Sequence, residues 1–412
     1  MSIRRHPWVL LIVLALAACA TQAPPMQAPL GPGPPPLTIL ISIDGFRSDY
    51  LQRGVTPNIS ALAADGVRAV AMHPSFPSLT FPNHYTLVTG LRPDRTGIVD
   101  NSMEDPRKPG VSFSMSKLEV SHDPFWWDEA EPLWVTAERA GVRTATLFWP
   151  GSDLPIRGIQ PHDWKMYDKQ FPADQRVDQV LAWLDRPPAE RPRFVTLYFD
   201  EVDTWGHNAG PDSAEVNAAL TRTDGSVGRL LAGLKAKGLF ATTNLVIVAD
   251  HGMAPTSGDR VTFLEDLLPT ADVHAVSLGP VAGFSATPGH EHEVAKALLA
   301  PHPHMTCWRK GDVPARFHYG HNPRVPPFVC LAQTGWVIGT KGRAVNKGSH
   351  GFDPDDPLMN ALFVAHGPAF RKGVVLNAFD NVDVYPLLAR LVGVKAQPND
   401  GALADLAPAL AP

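Results

Sequence analysis

Short apolar runs alternate with segments of helical spacing along most of the chain. The runs that predict buried strands span 37–43, 145–149, 194–199 and 245–249. The segments whose apolar residues recur at helical spacing span 132–140, 174–184 and 216–235. This alternation is typical of an α/β fold. We therefore predict a central, largely parallel sheet that is flanked by helices on both faces.

The stretch from about residue 263 to residue 340 departs from this alternation. We predict that it forms a small inserted cap subdomain with strands of its own. The catalytic domain is then expected to span residues 37–412 and to contain this insertion. In open parallel sheets, ligands bind beyond the carboxyl ends of the strands, so functional residues are expected there.

The N-terminus has the pattern of an export signal. Two arginines precede an apolar run at 8–18 that is too short to span a bilayer. Residues 16–19, Leu-Ala-Ala-Cys, resemble the lipobox of bacterial lipoproteins. We therefore predict a signal peptide at 1–18 and a lipid on Cys19 after cleavage. An ordinary secretory signal with a nearby cysteine is the alternative.

Seven prolines occur between residues 21 and 36, which favours an extended segment. We expect a tether at 19–36 that holds an exported protein at a bacterial membrane, facing the periplasm or at the cell surface. Cys307 and Cys330 would then lie in an oxidising compartment, where a disulfide stabilises by about 3 kcal/mol. Their positions in the sequence leave open whether they meet.

The composition is that of an ordinary folded protein, with 44% hydrophobic and 19% charged residues in a chain of 412. The formal net charge of −5 gives no basic footprint. A polymeric nucleic acid is therefore not expected as a stable partner, and any nucleotide that binds would be small.

Acidic residues and histidines gather where the predicted strands end. They are Asp44 after the first strand, Asp203 and His207 after the strand at 194–199, Asp250 and His251 after the strand at 245–249, and His350 further on. Each residue alone is compatible with a cap, a turn or a surface position. Three Asp and three His at one sheet edge together favour zinc, and six ligands suit two zinc ions with open positions.

Thr80 lies where the sequence predicts the start of a helix. Pro82 suits the first helical turn, and Gly90 marks the expected end. Unpaired amides and the positive end of the helix dipole favour an anion at such a start. Zinc nearby would activate the Thr80 hydroxyl for attack on phosphorus. The alternative is that Thr80 is an N-cap residue without a chemical role.

Several motifs resemble those of one enzyme family. Residues 80–91, Thr-Phe-Pro-Asn-His-Tyr-Thr-Leu-Val-Thr-Gly-Leu, and residues 97–101, Gly-Ile-Val-Asp-Asn, resemble the nucleotide pyrophosphatase/phosphodiesterase family of the alkaline phosphatase superfamily. The resemblance continues through 148–152, 197–199, 249–253, 348–352 and 361–363. It covers nearly all of residues 37–410 and is to the compact bacterial form of the family.

The resemblance implies specific ligands for two zinc ions. One ion would be held by Asp44, Thr80, Asp250 and His251, and the other by Asp203, His207 and His350. Asn101 would donate a hydrogen bond to a nonbridging phosphate oxygen, and a neutral donor suits a singly charged diester. The chain departs from the family at Thr204 and Trp205, between Asp203 and His207, where small residues are common and a Trp is expected to alter the pocket rim.

The implied activity is hydrolysis of phosphodiester or pyrophosphate bonds in small nucleotides. A covalent phosphothreonine at Thr80 would form, and a nucleoside 5′-monophosphate would be released. In similar proteins, aromatic residues at the positions of Phe81 and Tyr167 stack on a nucleobase. The alternatives are a lipid-headgroup (choline or glycerol) phosphodiesterase, a phosphomonoesterase of the same superfamily, and a noncatalytic lipid-anchored protein that keeps zinc for stability.

Overall fold

A computed structural model describes residues 36–412 of the chain. The predicted signal peptide at 1–18, Cys19 and all but the last residue of the tether at 19–36 lie outside the described residues. Within residues 36–412, no helix combines the length and the apolar character that are needed to cross a bilayer.

The longer strands of the described residues form an eight-stranded and a four-stranded sheet. They are, in chain order, β1 Leu37–Ile43, β2 Val67–Ala69, β3 Thr144–Leu147, β4 Asp163–Lys165, β5 Phe194–Phe199, β6 Thr243–Val248, β7 Val273–Ser277, β8 Val281–Ala286, β9 Met305–Arg309, β10 Phe328–Ala332, β11 Phe363–His366 and β12 Val374–Leu376. Two-stranded pairs are Met72–His73 with Phe379–Asp380, Ser102–Glu104 with Ser112–Ser114, Ala254–Pro255 with Gly348–Ser349, and Val261–Phe263 with Val337–Gly339.

The large sheet has the strand order β12-β2-β11-β6-β1-β5-β3-β4. The central strand β1 is parallel to both of its neighbours, β5 and β6. The pairs β5–β3, β3–β4 and β2–β12 are also parallel, whereas β11 runs antiparallel to β6 and β2. The prediction of a largely parallel central sheet is therefore confirmed.

The predicted strand bounds agree with β1 and β5 and differ by one or two residues at β3 and β6. At β3 the difference has a physical cause. Phe148 has a φ of 60°, which is not an extended conformation, so the strand ends before the apolar run does.

Two groups of the helices in residues 36–412 pack on the large sheet, and the helix Glu291–Leu298 packs in the insertion. The helices are α1 Pro57–Asp65, α2 Thr80–Thr89, α3 Pro93–Thr96, α4 Leu118–Ser121, α5 Leu133–Arg139, α6 Ala173–Leu184, α7 Glu201–Ala209, α8 Ala214–Ala236, α9 Glu291–Leu298, α10 Val384–Val392 and α11 Leu403–Leu406. In one group α1, α6 and α7 contact α8, and in the other α2, α5 and α11 contact α10. Helices thus cover both faces, and the three predicted helices correspond to α5, α6 and α8.

The burial of β1 explains its central place. Ile39, Leu40 and Ile41 are consecutive and fully buried, which requires cover on both faces of the sheet. Each such side chain stabilises the fold by roughly 1.5–3 kcal/mol. The strand is therefore held rigidly, and so is the residue that follows it, Asp44.

The stretch predicted as an insertion at 263–340 contains the four-stranded sheet, whose order is β7-β8-β10-β9 and whose pairs are all antiparallel. It has an apolar core of its own, in which Phe284, Val294 and Phe328 are buried. Cys307 on β9 and Cys330 on β10 lie opposite each other and form a disulfide. The pairing that the sequence left open is therefore present in the structure.

Candidate active site

The carboxyl ends of β1, β5 and β6 lie side by side in the large sheet. Asp44 follows β1, Asp250 follows β6 after one residue, and Asp203 lies on α7 shortly after β5. Because parallel neighbours end at the same edge, these side chains lie together. Gly45 permits the approach, because it has a φ of 68° and an added Cβ would lie 3.1 Å from Asp203 Cβ.

His251 lies at the centre of a first group of side chains. Its Nε2 atom is 3.0 Å from Asp250 Oδ2 and 3.5 Å from Asp44 Oδ1. The same atom is 3.3 Å from the hydroxyl oxygen of Thr80. All four residues are buried, so the Thr80 hydroxyl faces a cluster of carboxylates and imidazole that is shielded from bulk water.

Asp203 lies at the centre of a second group. Its Oδ1 atom is 3.4 Å from His207 Nε2, one helical turn along α7, and 3.6 Å from His350 Nε2. The strand Gly348–Ser349 brings His350 to this place by pairing with Ala254–Pro255. The rings of His350 and His251 stack with their centroids 3.5 Å apart. The two groups therefore form one continuous site.

Backbone carbonyl groups fix the orientation of the three imidazole rings. The distances from Nδ1 to the carbonyl oxygen are 2.8 Å for His207 and Gly348, 2.9 Å for His251 and Gly252, and 3.0 Å for His350 and Ser78. A carbonyl oxygen only accepts, so each Nδ1 donates and each neutral ring presents its Nε2 lone pair to the cluster. Histidines that bind metals are commonly held in this way.

The buried charges of the site interact strongly. Burial, together with Asp250 and Asp203, raises the pKa of Asp44 well above its usual range. Burial also opposes ionisation of Asp250, but the nearby His251 and His84 hold the pKa of Asp250 well below its usual range. The negative charges of Asp44 and Asp250 thus oppose each other, and an added cation would stabilise both carboxylates in their ionised forms.

Three carboxylate oxygens of the site lack hydrogen bonds. Within residues 36–412, the buried atoms Asp44 Oδ1, Asp203 Oδ1 and Asp250 Oδ2 accept no hydrogen bond, and the polar atoms near them include imidazole nitrogens. Leaving such an acceptor buried and unmatched costs about 1–3 kcal/mol or more. Groups of side chains close enough to hold a metal ion are Asp203 with His207 and His350, Asp44 with Asp203 and His251, and Asp44 with His84 and Asp250. The residues present therefore fit metal binding.

Thr80 is the first residue of α2, and the N-cap position is occupied by Leu79, which makes no side-chain capping bond. The Thr80 hydroxyl therefore does not cap the helix, and it contacts His251 instead. Asn83 holds the loop before α2, because its Nδ2 group donates to three carbonyl groups of residues 75–79. The helix start is thus a fixed platform, and the positive end of the helix dipole favours an anion there.

Asn101 lies beside this helix start. Its Oδ1 atom accepts a hydrogen bond of 2.9 Å from the backbone N–H of Phe81. A backbone N–H only donates, so the contact fixes which end of the side-chain amide points away from α2. No acceptor among residues 36–412 contacts the Nδ2 group, which can therefore donate to a bound anion.

An aromatic pocket lies next to Thr80. Phe81 and Tyr167 both line it, together with other aromatic residues that include Trp127, Phe148 and Trp149. The structure thus brings the two predicted aromatic residues to one cavity. Trp205, which was expected at a pocket rim, does not line this pocket but packs half-buried against the hydrophobic core.

Two residues that contact the cluster escaped prediction from the sequence. Tyr198 donates a hydrogen bond of 2.6 Å to Asp44 Oδ2. His84 Nδ1 lies 2.9 Å from the Thr80 carbonyl oxygen and 3.3 Å from Asp250 Oδ2. The available signal for His84 was its position one helical turn after Thr80. For Tyr198 it was a place near the carboxyl end of β5, next to β1.

Comparison with known proteins points to one family. The family model described as type I phosphodiesterase/nucleotide pyrophosphatase matches residues 38–353. An uncharacterized pyrophosphatase/phosphodiesterase of Schizosaccharomyces pombe is 38% identical over 379 residues, covering 88% of this chain and 78% of that protein. A bis(5′-adenosyl)-triphosphatase of Xenopus laevis is 39% identical over 371 residues, covering 90% of this chain and 80% of that protein.

A solved structure is similar over the whole fold. It is the mouse ectonucleotide pyrophosphatase/phosphodiesterase 5, an inactive threonine-to-alanine variant in complex with AMP. The TM-score is 0.88 at 35% identity, and the match covers 91% of this chain and 100% of that chain. The fold and the sequence thus lead to the same conclusion: the chain belongs to the type I phosphodiesterase/nucleotide pyrophosphatase family of the alkaline phosphatase superfamily.

Proposed function

We propose that the protein hydrolyses phosphodiester or pyrophosphate bonds of nucleotides, releases a nucleoside 5′-monophosphate, and uses Thr80 as its nucleophile. The observation that carries the proposal is the position of Thr80. Its hydroxyl contacts the Asp and His cluster, and the next residue, Phe81, lines the aromatic pocket. A phosphate beside Thr80 would therefore have its nucleoside beside the pocket. The relatives named for bis(5′-adenosyl)-triphosphatase activity and for an AMP complex support this reading.

The proposed cofactors are two zinc ions. Asp44, Thr80, Asp250 and His251 would hold one ion, and Asp203, His207 and His350 the other. Carboxylate and imidazole ligands suit zinc, and the carboxylate oxygens that lack hydrogen bonds support the assignment. When bound, such ions supply Lewis-acid stabilisation of the charge on the attacking, leaving and phosphoryl oxygens.

The residues of the chain account for the remaining steps. The deprotonated Thr80 oxygen attacks phosphorus, the bond from phosphorus to the leaving oxygen breaks, and a phosphothreonine forms. Water then attacks the same phosphorus, which releases the monophosphate and restores the Thr80 hydroxyl. The Nδ2 group of Asn101 donates to a nonbridging oxygen, where negative charge is concentrated, and the positive end of the α2 dipole favours the same charge.

The aromatic pocket is proposed to hold the nucleobase. Phe81 and Tyr167 line the same cavity, and stacking tolerates any base. Because Phe81 is bonded to Thr80 and its N–H also fixes Asn101, base binding and phosphate binding are adjacent. This geometry supports attack on the phosphorus nearest to the nucleoside, so the nucleoside leaves as its 5′-monophosphate.

We also propose that the enzyme is exported and anchored through a lipid on Cys19. The motif at residues 16–19 and the proline-rich segment that follows support the anchor. The Cys307–Cys330 disulfide is in keeping with an oxidising compartment. The name of the mouse relative, an ectonucleotide enzyme, points in the same direction.

Replacing Thr80 by Ala is expected to lower turnover by at least about 1,000-fold, because the attacking oxygen is lost while the Asp and His side chains remain. The measurement is release of 5′-monophosphate from a dinucleoside polyphosphate, followed by chromatography. Thr86→Val is the matched control, since Thr86 lies on the same helix and its buried hydroxyl has no hydrogen-bond partner among residues 36–412. Near-normal activity of Thr80→Ala would show that another group attacks phosphorus.

Elemental analysis of the purified protein is expected to find about two zinc ions per chain. His207→Ala and His350→Ala should each lower occupancy at one of the two sites. His290→Ala serves as the control, because His290 is only partly buried and pairs with Asp272 in the insertion. A fully active enzyme without bound metal would contradict the assignment.

Phe81→Ala and Tyr167→Ala are each expected to remove stacking of roughly 1–3 kcal/mol. The loss should appear in kcat/KM for a nucleotide diester and not for a small nitrophenyl diester that has no base. Trp164→Ala is the control, an exposed aromatic residue that does not line the pocket. Equal losses on both substrates would assign the two aromatics to packing and favour the lipid-headgroup alternative.

Replacing Cys19 by Ala is expected to move the mature protein from the membrane fraction to the soluble fraction, because the acyl chains have no other attachment point. Fractionation of cells followed by immunoblotting measures the change. Thr21→Ala, two residues further on, should leave the protein with the membranes. An unchanged distribution of the Cys19 variant would rule out the lipid anchor.

A further inference from the structure

The backbone that leads to Asn101 is bonded to the inserted part of the chain. The hydroxyl of Tyr319 donates to the carbonyl oxygen of Val99 at 3.1 Å, and Arg324 Nη1 donates to the carbonyl oxygen of Gly97 at 2.7 Å. Both donor residues are buried. Residues 97–99 therefore take their position from side chains that come more than 200 residues later.

Asp100, the neighbour of Asn101, forms the third contact. Its Oδ1 atom accepts a hydrogen bond of 2.9 Å from the Ser102 N–H, which closes a turn around Asn101. Its Oδ2 atom accepts one of 3.1 Å from the hydroxyl of Ser277, at the end of β7 in the insertion. One carboxylate thus shapes the Asn101 turn and bonds that turn to the four-stranded sheet.

Burying the Asp100 carboxylate costs free energy. The residue is 8% exposed, and burial raises the pKa of Asp100 to about 6 although Ser102 and Ser277 donate to it. An apolar residue would avoid this cost. The two oxygens of this buried carboxylate bond to two different strands, through Ser102 and Ser277. We therefore expect Asp100 to fix the orientation of the Asn101 turn.

The hydrogen bonds that Asn101 itself makes come from residues outside the four-stranded sheet. Phe81 N–H fixes the end of the side-chain amide, and the Met115 N–H donates to the Asn101 carbonyl oxygen at 3.0 Å. Phe81 and Met115 both line the aromatic pocket. Asp100 is thus the residue that joins the Asn101 turn itself to β7 through Ser277, whereas Tyr319 and Arg324 bond the backbone that precedes this turn.

We propose that the insertion acts as a brace for Asn101, with Asp100 and Ser277 as positioning residues that hold the Asn101 Nδ2 group at the bound phosphate. The proposal rests on the proposed function, because it takes Asn101 as a donor to phosphate. It assigns to the insertion a part in catalysis that does not require the insertion to touch substrate.

A double-mutant cycle on Asp100 and Asn101 tests the brace. The substrate is a small nitrophenyl diester, so that base binding is not involved. Asn101→Ala is expected to lower kcat by about 100-fold through loss of the donor. Asp100→Ala is expected to lower kcat by about 10-fold through misplacement of that donor. In the Asn101→Ala background, Asp100→Ala should cause no further loss.

Two further variants sharpen the test. Asp100→Asn should retain most of the rate, because its amide can accept from the Ser102 N–H and donate to the Ser277 oxygen. His274→Ala is the matched control. His274 lies on β7, as Ser277 does, and its Nε2 atom is 2.9 Å from Glu104 Oε1 on the strand that follows Asn101, so it contacts the same region without bonding Asp100 or Asn101. Its kcat should equal that of the unaltered protein.

Each other outcome overturns the proposal. An equal loss from Asp100→Ala in both backgrounds would assign Asp100 to packing alone. An unchanged rate in Asn101→Ala would remove the donor role of Asn101 and the brace with it, whereas Thr80→Ala tests the nucleophile independently. If circular dichroism shows that Asp100→Ala does not fold, Ser277→Ala takes its place in the cycle with the same expected outcomes.

Discussion

Three carboxylates at one buried sheet edge are the constraint on which the rest of this structure depends. Burial disfavours the ionised form of Asp44 and the nearby Asp250 and Asp203 repel it, so the pKa of Asp44 lies well above its usual range. The imidazole groups of His251 and His84 offset part of this repulsion, because they hold the pKa of Asp250 well below its usual range despite its burial. Such a cluster needs a stiff surrounding backbone, which the buried residues 38–43 of β1 and the Asn83 contacts provide.

The sequence predicted the centre of the fold better than its edges. The strands β1 and β5 are buried on both faces, so their apolar runs have the same length as the strands. The short strands β2, β4 and β12 have three residues each. They carry too few residues for a periodic signal, and their pairing depends on partners that are distant in the chain. The end of β3 was missed because backbone conformation, rather than hydrophobicity, stops it at Phe148.

The candidate site could be predicted where topology alone brings residues together. Asp44, Asp203 and Asp250 follow parallel neighbouring strands, so their proximity follows from the strand order. The contacts of Tyr198 with Asp44 and of Ser277 with Asp100 span 154 and 177 residues and lie in no periodic pattern. Only the three-dimensional packing reveals them. The chemical roles of Thr80 and of the individual metal ligands stay predictions.

The aromatic pocket has a consequence for the evolution of the enzyme. Its walls come mainly from residues 115–127, 148–153 and 165–167, which carry none of the Asp and His residues of the cluster. Phe81 is the wall residue that is bonded directly to Thr80. Selection can therefore reshape these loops for a new group on the phosphate while the reactive centre keeps its geometry, so the chain is a favourable starting point for directed evolution of substrate range.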